Sequence, residues 1–324
     1  MKAMLCEEFG PPELLKLREV ATPEPGAGQV RVRVEACGVN FPESLIIQNK
    51  YQFKAELPFA PGGEVAGVVD AVGEGVTAFK RGDAVMAMAL TGGYAEQIIV
   101  DQDAIMSRPE TMKSEIAAGF TMTYGTSMHA LKQRARLQEG EVLLVLGAGG
   151  GVGLAAVEIG KAMGATVIAA ASSAEKLEAA KQAGADHFIN YSDEDLRGRV
   201  KEITGGRGVD AFYDPVGGGM FESCLRSMAW GGRALVVGFA SGDIPKVAVN
   251  LTLLKGCAIV GVFWGAFRKI EPKEDAANFA QLFKWFEEGK LAPQVSKAYP
   301  LADAGQALSA LVNREVVGKV ILTP

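Results

Sequence analysis

Histidine, cysteine, basic charge and long apolar runs are all scarce in this chain, and each shortage removes a class of function. Only two histidines occur, His129 and His187, so a metal centre built on imidazole lacks its ligands. The four cysteines, Cys6, Cys37, Cys224 and Cys257, lie far apart with no C-x-x-C pair, and read as buried, reduced thiols. A net charge of −5 argues against a nucleic-acid-binding surface, which needs a basic stripe. No run approaches the roughly 20 apolar residues of a membrane span, and the first residues lack the charged-then-apolar pattern of a signal peptide. The expected location is therefore the cytoplasm, with no nucleic-acid or membrane partner.

What is present is enough for two domains: 324 residues, 48% hydrophobic and 22% charged. The 40 glycines fall singly and in short clusters between apolar runs, as turn residues do. Val30-Arg31-Val32-Arg33-Val34 alternates like a half-buried strand, and Val65–Val69 and Ala84–Met88 read as further strands separated by turns such as Lys80-Arg81-Gly82-Asp83. These predict a mostly-β domain over residues 1–121. From residue 122 strands alternate with helices: Val142–Leu146, Thr166–Ala171, His187–Asn190, Asp210–Asp214, Ala234–Gly238 and Ala258–Val262, with helices such as Val152–Met163 and Ala174–Ala183. Repeated βα units predict an α/β fold with a doubly wound parallel sheet over 122–262. Residues 263–324 turn helical and close on the strand Lys319–Leu322, which is expected to return to the first domain. The second domain is then an insertion, and the cleft between the two is the default ligand site.

Leu143-Leu144-Val145-Leu146-Gly147-Ala148-Gly149-Gly150-Gly151-Val152-Gly153-Leu154 carries the most information. An apolar strand enters a glycine-rich turn and a helix starts at once. Glycine is needed there because the backbone turns tightly and must let a pyrophosphate approach, with the N–H groups of the first helical turn facing it. Gly147, Gly150 and Gly153 form G-x-x-G-x-x-G, with Gly149, Gly151 and Val152 completing the turn; the βα units on either side supply the context of a dinucleotide fingerprint. The end of the second strand then selects the cofactor. A carboxylate about 20 residues on would accept the ribose hydroxyls of NAD. This chain has Ala171-Ser172-Ser173-Ala174-Glu175-Lys176, where Glu175 falls inside the next helix. Ser172 and Ser173 hydroxyls and the Lys176 charge suit a 2′-phosphate, so NADP(H) is expected.

Several stretches along the whole chain resemble the zinc-independent quinone oxidoreductases, the zeta-crystallin-like branch of the medium-chain dehydrogenases/reductases. They are Cys37–Phe41, Pro61–Gly67, Gly147–Gly153, His187–Tyr191, Tyr213–Gly218 and Gly318–Val320. The resemblance implies a GroES-like catalytic domain with an inserted Rossmann domain. It also implies a homodimer, here joined near Ala258–Phe263. Zinc-dependent relatives carry cysteine where this chain has Asn40 and histidine where it has Gly63, so no metal is expected. The resemblance places Asn40 and Thr126 near the nicotinamide and its ribose. Lys176 and Tyr191 fall on the adenosine phosphate, and Val237, Gly238, Phe239 and Phe263 among the cofactor contacts. Arg314 matches an arginine that approaches the cofactor, and Tyr51 a tyrosine at the active-site mouth; Asn40 and Tyr51 are the candidate catalytic residues. The family's N-F-x-D-x-x-x-R-x-G-x-Y is only partly kept, with Glu43 for the acid, Ile47 for the arginine and Asn49 for the glycine.

Without a metal to polarise a carbonyl, hydride transfer is restricted to acceptors that are already electron-poor. A quinone is expected first. An enoyl thioester or alkenal comes second, and would need a donor for the enolate oxygen that no side chain obviously supplies. An NADPH-binding protein with a non-catalytic role is the third reading.

Overall fold

Apolar and polar residues alternate from Val30 to Val34, and the strand they build buries Val30, Val32 and Val34 while Arg31 and Arg33 take the other face. In the computed structural model, which describes Met1–Pro324, this strand anchors the first of two units, Met1–Met122 with Pro293–Pro324. β1 (Lys2–Leu5) pairs with β2 (Lys16–Glu19). β3 (Gln29–Val39) pairs antiparallel with β4 (Glu64–Val72) and β6 (Gln97–Asp101). β4 continues to β5 (Ala84–Met88) and β7 (Ile105–Ser107). Short helices α1 (Phe41–Ile46) and α2 (Ser114–Ala117) follow their strands, and α3 (Thr121–Met128) leads into the second unit, Thr123–Ala292.

That unit is built on six strands, β8 (Val142–Leu146), β9 (Thr166–Ala171), β10 (His187–Asn190), β11 (Val209–Asp214), β12 (Met228–Val236) and β13 (Ala258–Gly261). Their order is β10-β9-β8-β11-β12-β13 and every pairing is parallel. Leu143 to Leu146 are all fully buried, as a central strand covered on both faces requires. Helices α4 (Gly151–Ala162), α5 (Ala174–Gln182), α6 (Leu196–Ile203), α7 (Met220–Arg226) and α8 (Asn250–Lys255) connect the strands. This is the doubly wound sheet expected from the βα repeats. β12 starts at Met228, earlier than the expected Ala234. Its ladder with β11 shifts register before Arg233, where Gly231 takes φ +75°, so the Gly231-Gly232 pair marks an irregularity within the strand.

Two helices change the domain division. Residues 263–292, expected to complete the first domain, belong instead to the second unit, as α9 (Trp264–Ile270) and α10 (Pro272–Glu287). Trp264 Nε1 donates to Asp275 Oδ1 at 2.8 Å. A Cβ on Gly125 would lie 2.7 Å from the Trp264 ring, and Phe267 stacks on His129 at 3.9 Å between centroids. The missing side chain at Gly125 is what lets α9 sit against α3. The chain returns at Pro293 with β14 (Val295–Pro300), α11 (Ala304–Val312) and β15 (Lys319–Thr323). β15 lies parallel to β14 and antiparallel to β3, completing a seven-stranded sheet. No helix is long and apolar enough to cross a membrane.

Candidate functional site

Because all six strands of the second unit run the same way, the loops that follow them share one edge of the sheet, where ligands of such folds bind. After β8, Gly147 takes φ +63°, a conformation that favours glycine. Gly150 N–H closes the turn on the Gly147 carbonyl at 3.0 Å, and α4 begins at Gly151. Gly151 and Val152 are its first two residues, so their N–H groups belong to the first helical turn, the part that can receive a phosphate. A Cβ on Gly153 would lie 2.2 Å from the Gly147 carbonyl oxygen, and one on Gly149 would lie 2.5 Å from Lys176 Cβ. The turn fits a pyrophosphate, and Lys176 lies directly over it.

Ser172, Ser173 and Tyr191 follow neighbouring strands of the sheet. Ser172 and Ser173 follow β9, and the Ser173 side chain caps α5 by accepting from Lys176 N–H at 3.4 Å. Tyr191 follows the neighbouring β10, and its N–H donates to the Ala171 carbonyl at 3.1 Å. Ser192, whose only signal in the sequence is adjacency to Tyr191, donates its hydroxyl to the Ser172 carbonyl at 3.0 Å. Glu175 lies in the first turn of α5.

Other residues of the second unit complete this edge. Asp214, at the end of β11, accepts from Val216 and Gly217 N–H at 2.7 and 2.8 Å. Its carbonyl receives Val237 and Gly238 N–H at 2.9 and 3.2 Å, and a Cβ on Gly217 would lie 2.9 Å from the Phe239 ring. The loops after β11 and β12 are thereby held together. Thr126 is half-buried on α3; its neighbour Ser127 donates to the Val152 carbonyl at 3.0 Å and meets the Tyr213 hydroxyl at 2.9 Å. Phe263, after β13, is 62% exposed.

Asn40, Tyr51 and Arg314 lie in the first unit. Asn40 precedes α1 and is 6% exposed. Its side chain is engaged at both ends, with Nδ2 donating to Glu64 Oε2 at 3.0 Å and Oδ1 accepting from Lys319 Nζ. Lys319 Nζ also meets Glu64 Oε2 at 2.9 Å, and Glu64 Oε1 accepts Met122 N–H at 2.8 Å. Glu43 accepts Asn40 N–H at 2.8 Å, closing the start of α1. Burial pushes the Glu43 pKa up to about 7, against the pull of the Lys319 charge. Burial and then the Glu43 charge raise the Tyr51 hydroxyl, which therefore stays protonated at neutral pH. Arg314, at φ +62°, sits in the turn after α11. Asn49, standing for the family glycine, takes φ +56°, which asparagine tolerates better than most residues. Ile47, standing for the family arginine, is 1% exposed and part of the core. Lys319 and Glu64 were missed as functional candidates although both fall inside motifs that carried the resemblance.

Zinc does not fit the residues at the positions where zinc-dependent relatives hold it. A Cβ on Gly63 would lie 2.5 Å from the Ala89 carbonyl oxygen, so no histidine is accommodated without moving that backbone. The Asn40 amide is already committed to Glu64 and to the Lys319 ammonium, whose positive charge beside it disfavours a metal cation.

Comparison with known proteins agrees with this geometry. Residues 26–110 match the family model "Alcohol dehydrogenase GroES-like domain", and residues 151–285 match "Zinc-binding dehydrogenase". The chain is 37% identical to a quinone oxidoreductase-like protein 2 homolog of Nematostella vectensis, over 99% of this chain and 88% of the relative. Among solved structures, a mycobacterial protein complexed with NADPH matches with a TM-score of 0.93 at 35% identity, covering 100% of both chains. Quinone oxidoreductase of Escherichia coli complexed with NADPH matches with a TM-score of 0.93 at 30% identity, again over 100% of both. With its GroES-like and Rossmann parts in place and zinc-ligand positions filled by Asn40 and Gly63, the chain belongs to the zinc-independent quinone oxidoreductases of the medium-chain dehydrogenase/reductase superfamily.

Proposed function

We propose that this oxidoreductase takes a hydride from NADPH and delivers it to a quinone. The observation that carries the cofactor choice is the position of Lys176 over the Gly149 turn, beside Ser172 and Ser173, at a strand end without a carboxylate. Gly147, Gly150, Gly151, Val152 and Gly153 would seat the pyrophosphate, and Lys176 and Tyr191 the 2′-phosphate. Thr126, Val237, Gly238, Phe239, Phe263, Asn40 and Arg314 would complete the set. NADPH in the two solved relatives supports the same reading. When bound, the nicotinamide supplies the hydride. The chain's own part is to hold the ring and keep water from the hydride, and the quinone oxygen would take its proton from Tyr51 or from water at the site's mouth. An acceptor that is itself electron-poor suits a site with an amide where its relatives place a metal.

The test is NADPH oxidation with a chelator present, against a small quinone and an enoyl thioester, with NADH as the paired control. Quinone turnover indifferent to chelator is expected. Turnover of the thioester alone would remove the quinone and leave a reductase of conjugated carbonyl compounds. Lys176→Ala is expected to raise the NADPH Kd about 10- to 100-fold, the loss of one charge-assisted contact, and to leave NADH binding unchanged. Equal weakening of both would mean that Lys176 does not read the 2′-phosphate.

The functional unit is proposed to be a homodimer joined along β13. That strand has β12 on one side and no strand on the other. Around it Trp230, Val249, Leu253, Leu254 and Phe263 are between 62% and 84% exposed, an apolar patch of the kind that marks an interface. Light scattering should give twice the 34.1 kDa chain mass, and Leu253→Asp with Leu254→Asp should give the single-chain mass. A monomeric parent would end this reading.

A further inference from the structure

An asparagine amide offers a donor at one end and an acceptor at the other, and its usefulness to a ligand depends on which end is turned outward. The surroundings of Asn40 leave only one choice. Lys319 carries donors only, and it meets Oδ1. The carboxylate oxygen Glu64 Oε2 accepts from Nδ2 at 3.0 Å and from the same ammonium at 2.9 Å. The three groups close a triangle, and an inverted amide would set N–H against the ammonium and oxygen against the carboxylate. Glu64 is itself held from turning by Met122 N–H at 2.8 Å. The backbone leaves just enough room: a Cβ on Gly38 would lie 2.6 Å from Glu64 Oε2, and one on Gly119 would lie 2.7 Å from Lys319 Cγ.

Stability alone gives little reason for this trio. Glu64 is 0% and Lys319 6% exposed, and desolvating such a pair costs about what its attraction returns, so apolar side chains in the same space would serve the fold as well. We propose that Lys319 and Glu64 are positioning residues that fix the polarity with which Asn40 meets a bound ligand. With Oδ1 taken by Lys319 and by the capping box of α1, Asn40 retains one N–H for that ligand. The proposal rests on the reading that places Asn40 at the reacting end of the nicotinamide.

The test is a double-mutant cycle between Asn40→Ala and Lys319→Met, with kcat and the NADPH Kd measured separately. Each single variant is expected to lower kcat by about 10- to 100-fold, as misplacement of a contact group does, with little change in Kd. The double variant should be no slower than the worse single, because both remove one function. Lys319→Arg should recover most of the loss, since a guanidinium can donate to both acceptors. Should Lys319→Met fail to fold, Glu64→Gln takes its place in the cycle. An amide there cannot accept from Met122, Asn40 and Lys319 together, so the same non-additivity is expected. Losses that multiply in the double variant would overturn the positioning role while leaving Asn40 at the reacting end. An Asn40→Ala protein with unchanged kcat would overturn both.

Discussion

A Gly153→Ala protein is expected to bind NADPH at least about 10-fold more weakly and to lose about 1–3 kcal/mol of stability. The added Cβ would stand 2.2 Å from the Gly147 carbonyl oxygen and 2.9 Å from Ala148 Cα. Both neighbours are backbone atoms of the turn, so no side-chain rotation relieves the clash. Only the turn itself can move. That turn is closed by the Gly150-to-Gly147 bond at 3.0 Å and depends on Gly147 at φ +63°, so displacing it carries away the N–H groups proposed to hold the pyrophosphate. The change at Gly219 is the control. Nothing lies within 4 Å of a Cβ there, and its φ of −65° is open to any residue, so Gly219→Ala should stay within about 0.5 kcal/mol of the parent. Titration of nicotinamide fluorescence and urea unfolding measure the two effects. An unchanged NADPH affinity in Gly153→Ala would show that the pyrophosphate is not seated on this turn.

The parts of the fold legible in the sequence were those whose signals are local. β9 and β10 occupy the expected residues because each is an apolar or β-branched run bounded by turn chemistry. The glycine turn was legible because backbone conformation and helix start are encoded within a few neighbouring residues. The attachment of α9 and α10 was not, because an amphipathic helix does not specify which surface it covers. That choice was made at Gly125 and His129, far away in the sequence. Lys319 shows the same limit at the candidate site. A lysine beside Val320, Ile321 and Leu322 reads as a charge at a strand end, and its burial follows from a Glu64 carboxylate 255 residues earlier. In the sequence Glu43 shows only as a glutamate where the family motif has its acid. The structure gives it a second task, holding the Asn40 N–H at the start of α1.

The pH dependence of stability should carry the mark of Glu158. This residue of α4 is 5% exposed and accepts the Tyr124 hydroxyl at 2.6 Å. Burial raises its pKa from 4.5 to about 7, the Tyr124 hydrogen bond only partly offsetting it. The folded chain therefore keeps a proton that the unfolded chain releases, and between pH 4.5 and about 7 the folded state binds more protons. Stability from this group falls as pH rises through that window, by roughly 3 kcal/mol in all, and does not return above it. Glu158→Gln keeps the oxygen that accepts from Tyr124 and removes the charge. It should match the parent near pH 5 and exceed it by roughly 1–3 kcal/mol at pH 8. Trp230, Trp264 and Trp285 all lie in the second unit, as Glu158 does, so tryptophan fluorescence during urea unfolding reports on the part that matters. Glu43, also lifted to about 7 by burial, acts in the same direction from the first unit in parent and variant alike, so it cancels in their difference. A Glu158→Gln protein whose advantage is equal at both pH values would mean that Glu158 is ionised in the folded state, with Tyr124 and Ala292 N–H sufficient to hold the charge.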